Sequence, residues 1–149
     1  MADYIDKFKD VNEIKECAKY YIQLLGLQDW RIVYKHGVPS NKDWAGECDS
    51  QFQEKCAQIT IDNRTFDDMW FKQPQELTLI HELIHCKIPM VDNGHMEGTI
   101  TEIFYHQLVD DWARSIFYTR YGLTHEDMYF KESNDANNNL STETHTSNI

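Results

Sequence analysis

Two histidines and one glutamate in the middle of the chain are the residues best suited to chemistry. Residues 81–85 read His-Glu-Leu-Ile-His. If this stretch is helical, about one turn separates His81 from His85, so both imidazoles can bind a single Zn²⁺ ion from the same face. Glu82, between them, can then act as a general base towards a water molecule at the ion. The motif therefore predicts a zinc site with His81 and His85 as ligands and Glu82 as the base.

The residues around the motif read as a buried helix from Glu76 to Cys86. Pro74 suits the first helical position, and Pro89 requires the helix to stop near Lys87 or Ile88. On a helical wheel the motif's polar side chains share one half of the cylinder. The other half is apolar and holds Leu79, Ile80, Leu83 and Ile84. The two histidines form the polar edge of an apolar helix, which predicts that they face a cleft.

A catalytic zinc site normally has three protein ligands and one open position, so a third ligand must come from outside the motif. A second long helix, predicted from about His95 to Tyr121, offers two histidines and two glutamates. If the apolar residues of this helix mark its buried face, Glu97 points towards the motif helix. Glu97 is therefore the first choice of ligand, Glu102 the second and His95 the third. His95 and His106 fall further round the wheel, towards the rim or the solvent.

The other predicted elements complete a small α+β domain. An N-terminal helix begins at a capping box of Asp10 and Glu13 and ends at Gly26. Alternating residue types predict three short strands, over residues 30–35, 44–50 and 57–62, which form a small antiparallel or mixed sheet. The long second helix ends at Gly122. Its apolar set, expected to face the core, is Ile100, Ile103, Phe104, Leu108, Val109, Trp112, Ile116 and Phe117.

Length and charge limit the classes of structure and partner. Residues 1–130 are predicted to form one domain with a core of its own, and the polar residues 131–149 a disordered tail. No stretch approaches the roughly 18 consecutive apolar residues that a membrane span needs. The chain has 14 basic and 25 acidic residues, a net charge of −11 that is spread along its length. This charge disfavours nucleic acid and anionic membranes as partners and is compatible with a polypeptide substrate.

The four cysteines indicate a reduced, cytoplasmic protein. Cys17, Cys48, Cys56 and Cys86 show neither Cys-x-x-Cys spacing nor the density of a secreted disulfide scaffold, and no apolar signal segment precedes them. Cys86 falls on the far side of the helical wheel from the metal, which predicts a packing role. Capping of the zinc ion by a Cys48 thiolate is a minor alternative.

The chain resembles the zincin metallopeptidases, and within them the minimal gluzincin type of small phage and archaeal proteins and of ImmA-like proteins. The resemblance rests on the His-Glu-x-x-His motif, a carboxylate early in the next helix, and the order of elements along nearly the whole ordered chain. Family members often have Glu-x-x-Ala-Asp in that helix, whereas residues 97–101 read Glu-Gly-Thr-Ile-Thr and keep only the glutamate. The resemblance implies zinc-dependent peptide hydrolysis, with Glu97 as third ligand and an extended substrate along an edge strand, for which residues 44–50 are the best candidate.

Alternatives to this interpretation differ in the third ligand or in the function. A SprT-like arrangement would use His95 as the third ligand, whereas the metzincin pattern is excluded because Gly and His do not follow His85 at the required offsets.

A zincin-shaped module could also keep its metal and hold a partner, for example in phage–host interference, and a regulatory protease could act on one substrate only. Glu82 favours hydrolysis, because a structural site needs no base. Spacing does not choose among Tyr105, His106 and His95 as donors to an oxyanion.

Overall fold

The computed structural model describes residues 3–64, 70–88 and 98–130. The described residues form an α+β fold, as predicted, with a short 3₁₀ helix at His125–Met128. The helices are α1 (Val11–Leu25), α2 (Gln75–Lys87) and α3 (Ile100–Tyr121), and the strands are β1 (Arg31–His36), β2 (Gly46–Gln51) and β3 (Cys56–Ile61). Glu97, His95 and the predicted tail, residues 131–149, lie outside the described residues. No helix in the described part of the chain is long and apolar enough to span a membrane.

Local sequence signals explain where α1 begins and ends. The Asp10 side chain accepts a hydrogen bond of 2.9 Å from the Glu13 backbone N–H, which satisfies one of the free donors at the start of the helix. Gly26 ends the helix in the left-handed region, at φ 68°, where a residue without Cβ is favoured. The apolar face of α1 packs into the core through Ile14, Ala18, Tyr21 and Leu25.

The sheet is mixed, with β3 in the centre and the strand order β1-β3-β2. β1 runs parallel to β3, with Arg31 opposite Cys56. β2 runs antiparallel to β3, with Gly46 opposite Ile61. β2 is therefore an edge strand whose outer side is free of strand pairing among the described residues, which agrees with the edge position expected for residues 44–50.

α2 lies against this sheet with its apolar half inward, as predicted. Leu79, Ile80, Leu83 and Ile84 are all fully buried, and they pack with Ile59 and Ile61 of β3 in the same core cluster. Pro74 is the residue before the first helical turn, and the helix ends at Lys87. The apolar half of α2 thus holds the helix on the sheet and leaves the histidine edge free for other contacts.

The orientation of α3 differs from the prediction. Val109, Ala113 and Phe117 are buried, but four residues expected in the core are more than half exposed: Ile100, Ile103, Phe104 and Leu108. The prediction that they face the core is wrong because the first half of α3 turns a polar face towards α2. Tyr105 and Asp110 on that face form hydrogen bonds with the two motif histidines. Apolar periodicity alone therefore predicts the wrong face of this helix as the one that packs against α2.

A buried carboxylate in the first turn of α2 joins three helices and the N-terminal segment. Glu76 is fully buried. Its oxygens accept hydrogen bonds from the Tyr21 hydroxyl at 2.6 Å, from the Ile5 backbone N–H at 2.7 Å and from the Tyr121 hydroxyl. The Arg120 guanidinium lies 3.2 Å from the same carboxylate. Glu76 therefore fixes the relative positions of α1, α2 and α3.

Replacing Glu76 by alanine should lower the free energy of unfolding by about 3–5 kcal/mol, because Arg120 and two tyrosine hydroxyls lose their shared acceptor. Urea denaturation followed by circular dichroism measures the loss. The matched control is Glu16→Ala, which breaks an exposed pair with Lys19 and should leave the midpoint near that of the wild type. Equal losses for the two variants would contradict the structural role of Glu76.

Candidate metal centre

The two motif histidines converge on one point beside α2. His81 and His85 lie one helical turn apart, and their Nε2 atoms are separated by 3.1 Å. Two nitrogens bound to one tetrahedral zinc ion, each at 2.0–2.1 Å, lie about 3.4 Å apart. The predicted pair is therefore close to the spacing that a shared ion requires.

A third histidine joins this pair from α3. One ring nitrogen each of His81, His85 and His106 lies within 4.8 Å of the other two. His106 is at the mouth of the cluster, with a side chain that is 46% exposed. Three imidazole nitrogens with one open, solvent-facing side match the donor set of a catalytic zinc site. The residues present therefore fit a zinc ion held by His81, His85 and His106.

Hydrogen bonds from α3 orient both motif histidines. The Nδ1–H of His81 donates to Oδ1 of Asp110 at 2.7 Å. The Nδ1 of His85 lies 2.9 Å from the Tyr105 hydroxyl, which donates its own proton to the Ile88 carbonyl and so accepts from His85. Because each Nδ1 carries the proton, the lone pair of each Nε2 points towards the cluster centre. Tyr105, a candidate for oxyanion binding from the sequence, is engaged as an orienting residue.

The electrostatic surroundings keep His85 in the form that binds metals. Burial, followed by the nearby His81 and His106, lowers the pKa of His85 to about 4, so the imidazole is neutral at neutral pH. Burial also lowers the pKa of His81, but the hydrogen bond to Asp110 and the negative charges nearby outweigh it, and the pKa is raised. The Asp110 carboxylate therefore offsets the cost of burying a positive charge on the imidazole of His81.

Glu82 is almost fully buried beside the histidines, with 6% of its surface exposed. Burial is the main influence on this carboxyl and raises its pKa to about 8, against the opposing effect of His81. Its neighbour across the cleft is the start of β2. A Cβ added at Gly46 would lie 3.1 Å from Glu82 Oε1 and 2.7 Å from Thr78 Cγ2. A residue without a side chain is therefore required for β2 to pass this close to the carboxylate.

The histidine cluster opens into a cleft of about 1010 Å³ between β2 and α3. Residues 43–50 form one wall, and α2 forms the floor. The acidic residues of the lining are Asp43, Glu47, Asp49, Glu82, Glu102 and Asp110, and its basic residue, apart from the histidines, is Arg114. The cleft thus combines a free strand edge, a nitrogen cluster and negative charge.

The two cysteines near the cleft face one another. The Sγ atoms of Cys48 in β2 and Cys86 in α2 are 3.8 Å apart. Cys86 is buried in the core, which confirms the predicted packing role. The contact with Cys86, together with burial, raises the pKa of the Cys48 thiol far above its usual range. Among the described residues, the side chains close enough to share an ion are the three histidines and do not include Cys48, so the structure gives no support to a thiolate cap on the ion.

Two of the three residues ranked as third ligand, Glu97 and His95, lie outside the described residues. Glu102, the second choice, places Oε1 3.7 Å from Nε2 of His106, next to the cluster. His106 itself was expected at the rim, because α3 was placed with its apolar row inward. A different signal was available in the sequence. Glu102, His106 and Asp110 stand four residues apart, as one polar row on a helix.

Comparisons of the chain with protein-family models, with curated proteins and with solved structures found no match in any of the three. The functional interpretation therefore depends on the motif, the fold and the geometry of the histidine cluster.

Proposed function

We propose that this protein is a zinc-dependent metallopeptidase that hydrolyses peptide bonds. His81, His85 and His106 would hold the ion, and Glu82 would act as the general base. The observation that carries the proposal is the approach of three imidazole nitrogens to within 4.8 Å of one another beside a buried glutamate. A site with this donor set and an adjacent carboxylate is suited to hydrolysis.

Zinc is the metal that best suits the donors. Imidazole nitrogens suit zinc well, whereas magnesium and calcium prefer oxygen ligands. When bound, zinc supplies Lewis acidity, which polarises a substrate carbonyl and makes water easier to deprotonate near neutral pH.

The protein's own residues would supply positioning and proton transfer. Asp110 and Tyr105 hold the rings of His81 and His85 with each Nε2 directed at the cluster centre. The Glu82 carboxyl lies beside the start of β2. The positive charge of a bound ion would favour its ionised form, in which it would take a proton from the attacking water and deliver it to the leaving amine. An extended polypeptide would pair with the free edge of β2 and pass this carboxylate. The acidic cleft lining favours neutral or basic stretches of the substrate.

The test is peptide cleavage that depends on zinc. Protein stripped of metal with a chelator would be incubated with a peptide library, with and without one equivalent of zinc, and the products identified by mass spectrometry. We expect cleavage with zinc only, its loss with excess chelator and its recovery when zinc is restored. Stoichiometric zinc binding without cleavage of any library member would favour the metal-holding interaction module instead.

A further inference from the structure

The first half of α3 carries an apolar stripe on the side away from the histidine cluster. Its residues are Ile100, Phe104, Leu108 and Trp112, with exposed fractions between 36% and 71%. They stand four residues apart, so they form one continuous row along the helix. Four side chains of this size expose roughly 400 Å² of apolar surface, within the range of the largest patch on a typical monomer. A patch of this size indicates a contact surface.

We propose that this stripe is the interface of a homodimer in which α3 packs antiparallel against α3 of a second copy. The row at positions 100, 104, 108 and 112 is symmetric about position 106. A two-fold axis there places Ile100 beside Trp112 of the other copy, and Phe104 beside Leu108. Each large apolar residue of the row then meets another one. Rows with this spacing pack into one another at a crossing angle near −50°.

The charges of α3 permit this contact although the chain carries a net charge of −11. Glu102, His106 and Asp110 line the cleft on the other side of the helix. Asp111 borders the stripe, with a side chain that is 62% exposed and lies 3.8 Å from Arg114. In the antiparallel pair the two Asp111 residues stand ten residues apart along the axis, or about 15 Å. This distance exceeds the Debye length of about 8 Å at physiological ionic strength, so their repulsion is screened.

The size of the stripe determines the kind of dimer expected. Each partner in a standard protein complex buries about 800 Å², of which the apolar stripe would provide roughly 400 Å². Neighbouring polar residues such as Thr101 and Gln107 would form the rim of the interface. An interface at the small end of the stable range predicts a dimer that dissociates on dilution.

Sedimentation equilibrium over a range from about 1 to 500 µM protein tests the proposal. The wild type should pass from 17.7 kDa to twice that mass as concentration rises. Leu108→Glu should raise the dimer Kd at least ten-fold, because it buries an unpaired carboxylate against Phe104 of the other copy. The matched control is Leu24→Glu in α1, where a leucine is exposed to nearly the same extent, 54% against 55%. This control should dimerise like the wild type.

A second experiment tests the pairing of Phe104 with Leu108 of the other copy. It also keeps the proposal testable if circular dichroism shows that Leu108→Glu alone is poorly folded. Phe104→Lys alone should be monomeric, and mixing it with Leu108→Glu should restore a dimer of the two variants, because the new lysine meets the new glutamate. A wild type that remains monomeric throughout would overturn the proposal, as would an equal effect of Leu24→Glu and Leu108→Glu. A dimer that survives both stripe variants would place the interface elsewhere, and assemblies larger than a dimer would exclude the two-fold arrangement.

Discussion

Replacing Glu82 by glutamine should lower kcat/KM for peptide cleavage by about 10²–10⁴-fold and leave zinc binding intact. Glutamine keeps the size of the side chain, but its amide cannot accept the proton of the attacking water. Glu82 is almost fully buried and its pKa is raised to about 8, so a neutral amide of the same size suits this environment and the fold should be preserved. Cleavage of the best library peptide, measured beside the zinc content of the same preparation, gives both results.

Glu16→Gln is the matched control, because it makes the same chemical change on the exposed surface of α1, far along the chain from the cleft. It should cleave at the wild-type rate. If Glu82→Gln also retained wild-type turnover, the general base would have to be another residue. If it lost zinc along with activity, Glu82 would contribute to metal binding and its assignment as the base would be unsupported.

Replacing His106 by alanine should weaken zinc binding by about 10²–10³-fold. A zinc-finger site with four protein ligands is worth roughly 10–16 kcal/mol, so one ligand of four contributes about 2.5–4 kcal/mol. The remaining pair, His81 and His85, would leave the ion short of protein ligands. Competition against a chromophoric chelator measures the affinity, and circular dichroism checks that α3 is still folded.

A graded series identifies the ligand. Asp110→Ala removes only the partner of His81 Nδ1 and should cost about 10–100-fold in zinc affinity. Glu102→Gln, which keeps the shape of a side chain 3.7 Å from His106, should have a smaller effect than either. Glu97→Ala tests the residue that the zincin resemblance favours. If this last variant weakened binding more than His106→Ala, the third ligand would be Glu97 and the assignment of His106 would be wrong.

Local signals in the sequence were sufficient for most elements and for the three motif residues of the site, His81, Glu82 and His85, but not for His106. The cap at Asp10, the left-handed Gly26 and the alternation in β3 each act within a few residues, so they predict their elements directly. The motif itself placed His81 and His85 on one edge of α2, because their spacing equals one helical turn.

Contacts between distant parts of the chain determined the rest. The third histidine was missed because helix periodicity identifies an apolar row but not what that row faces, and in α3 the row with Ile100 and Phe104 faces outward. The buried role of Glu76 has no local signal, because its partners Tyr21 and Tyr121 lie 55 and 45 residues away in the sequence. The need for glycine at position 46 depends on a helix that begins 29 residues later.

The zinc content and coordination of the wild-type protein bear on the metal centre without requiring a substrate. Protein reconstituted with zinc and freed of excess metal would be analysed by elemental analysis and by X-ray absorption at the zinc edge. We expect one zinc per chain, with three imidazole nitrogens and one further light atom in the first shell. Failure to retain zinc, or a first shell containing sulfur from Cys48 or Cys86, would contradict the three-histidine site.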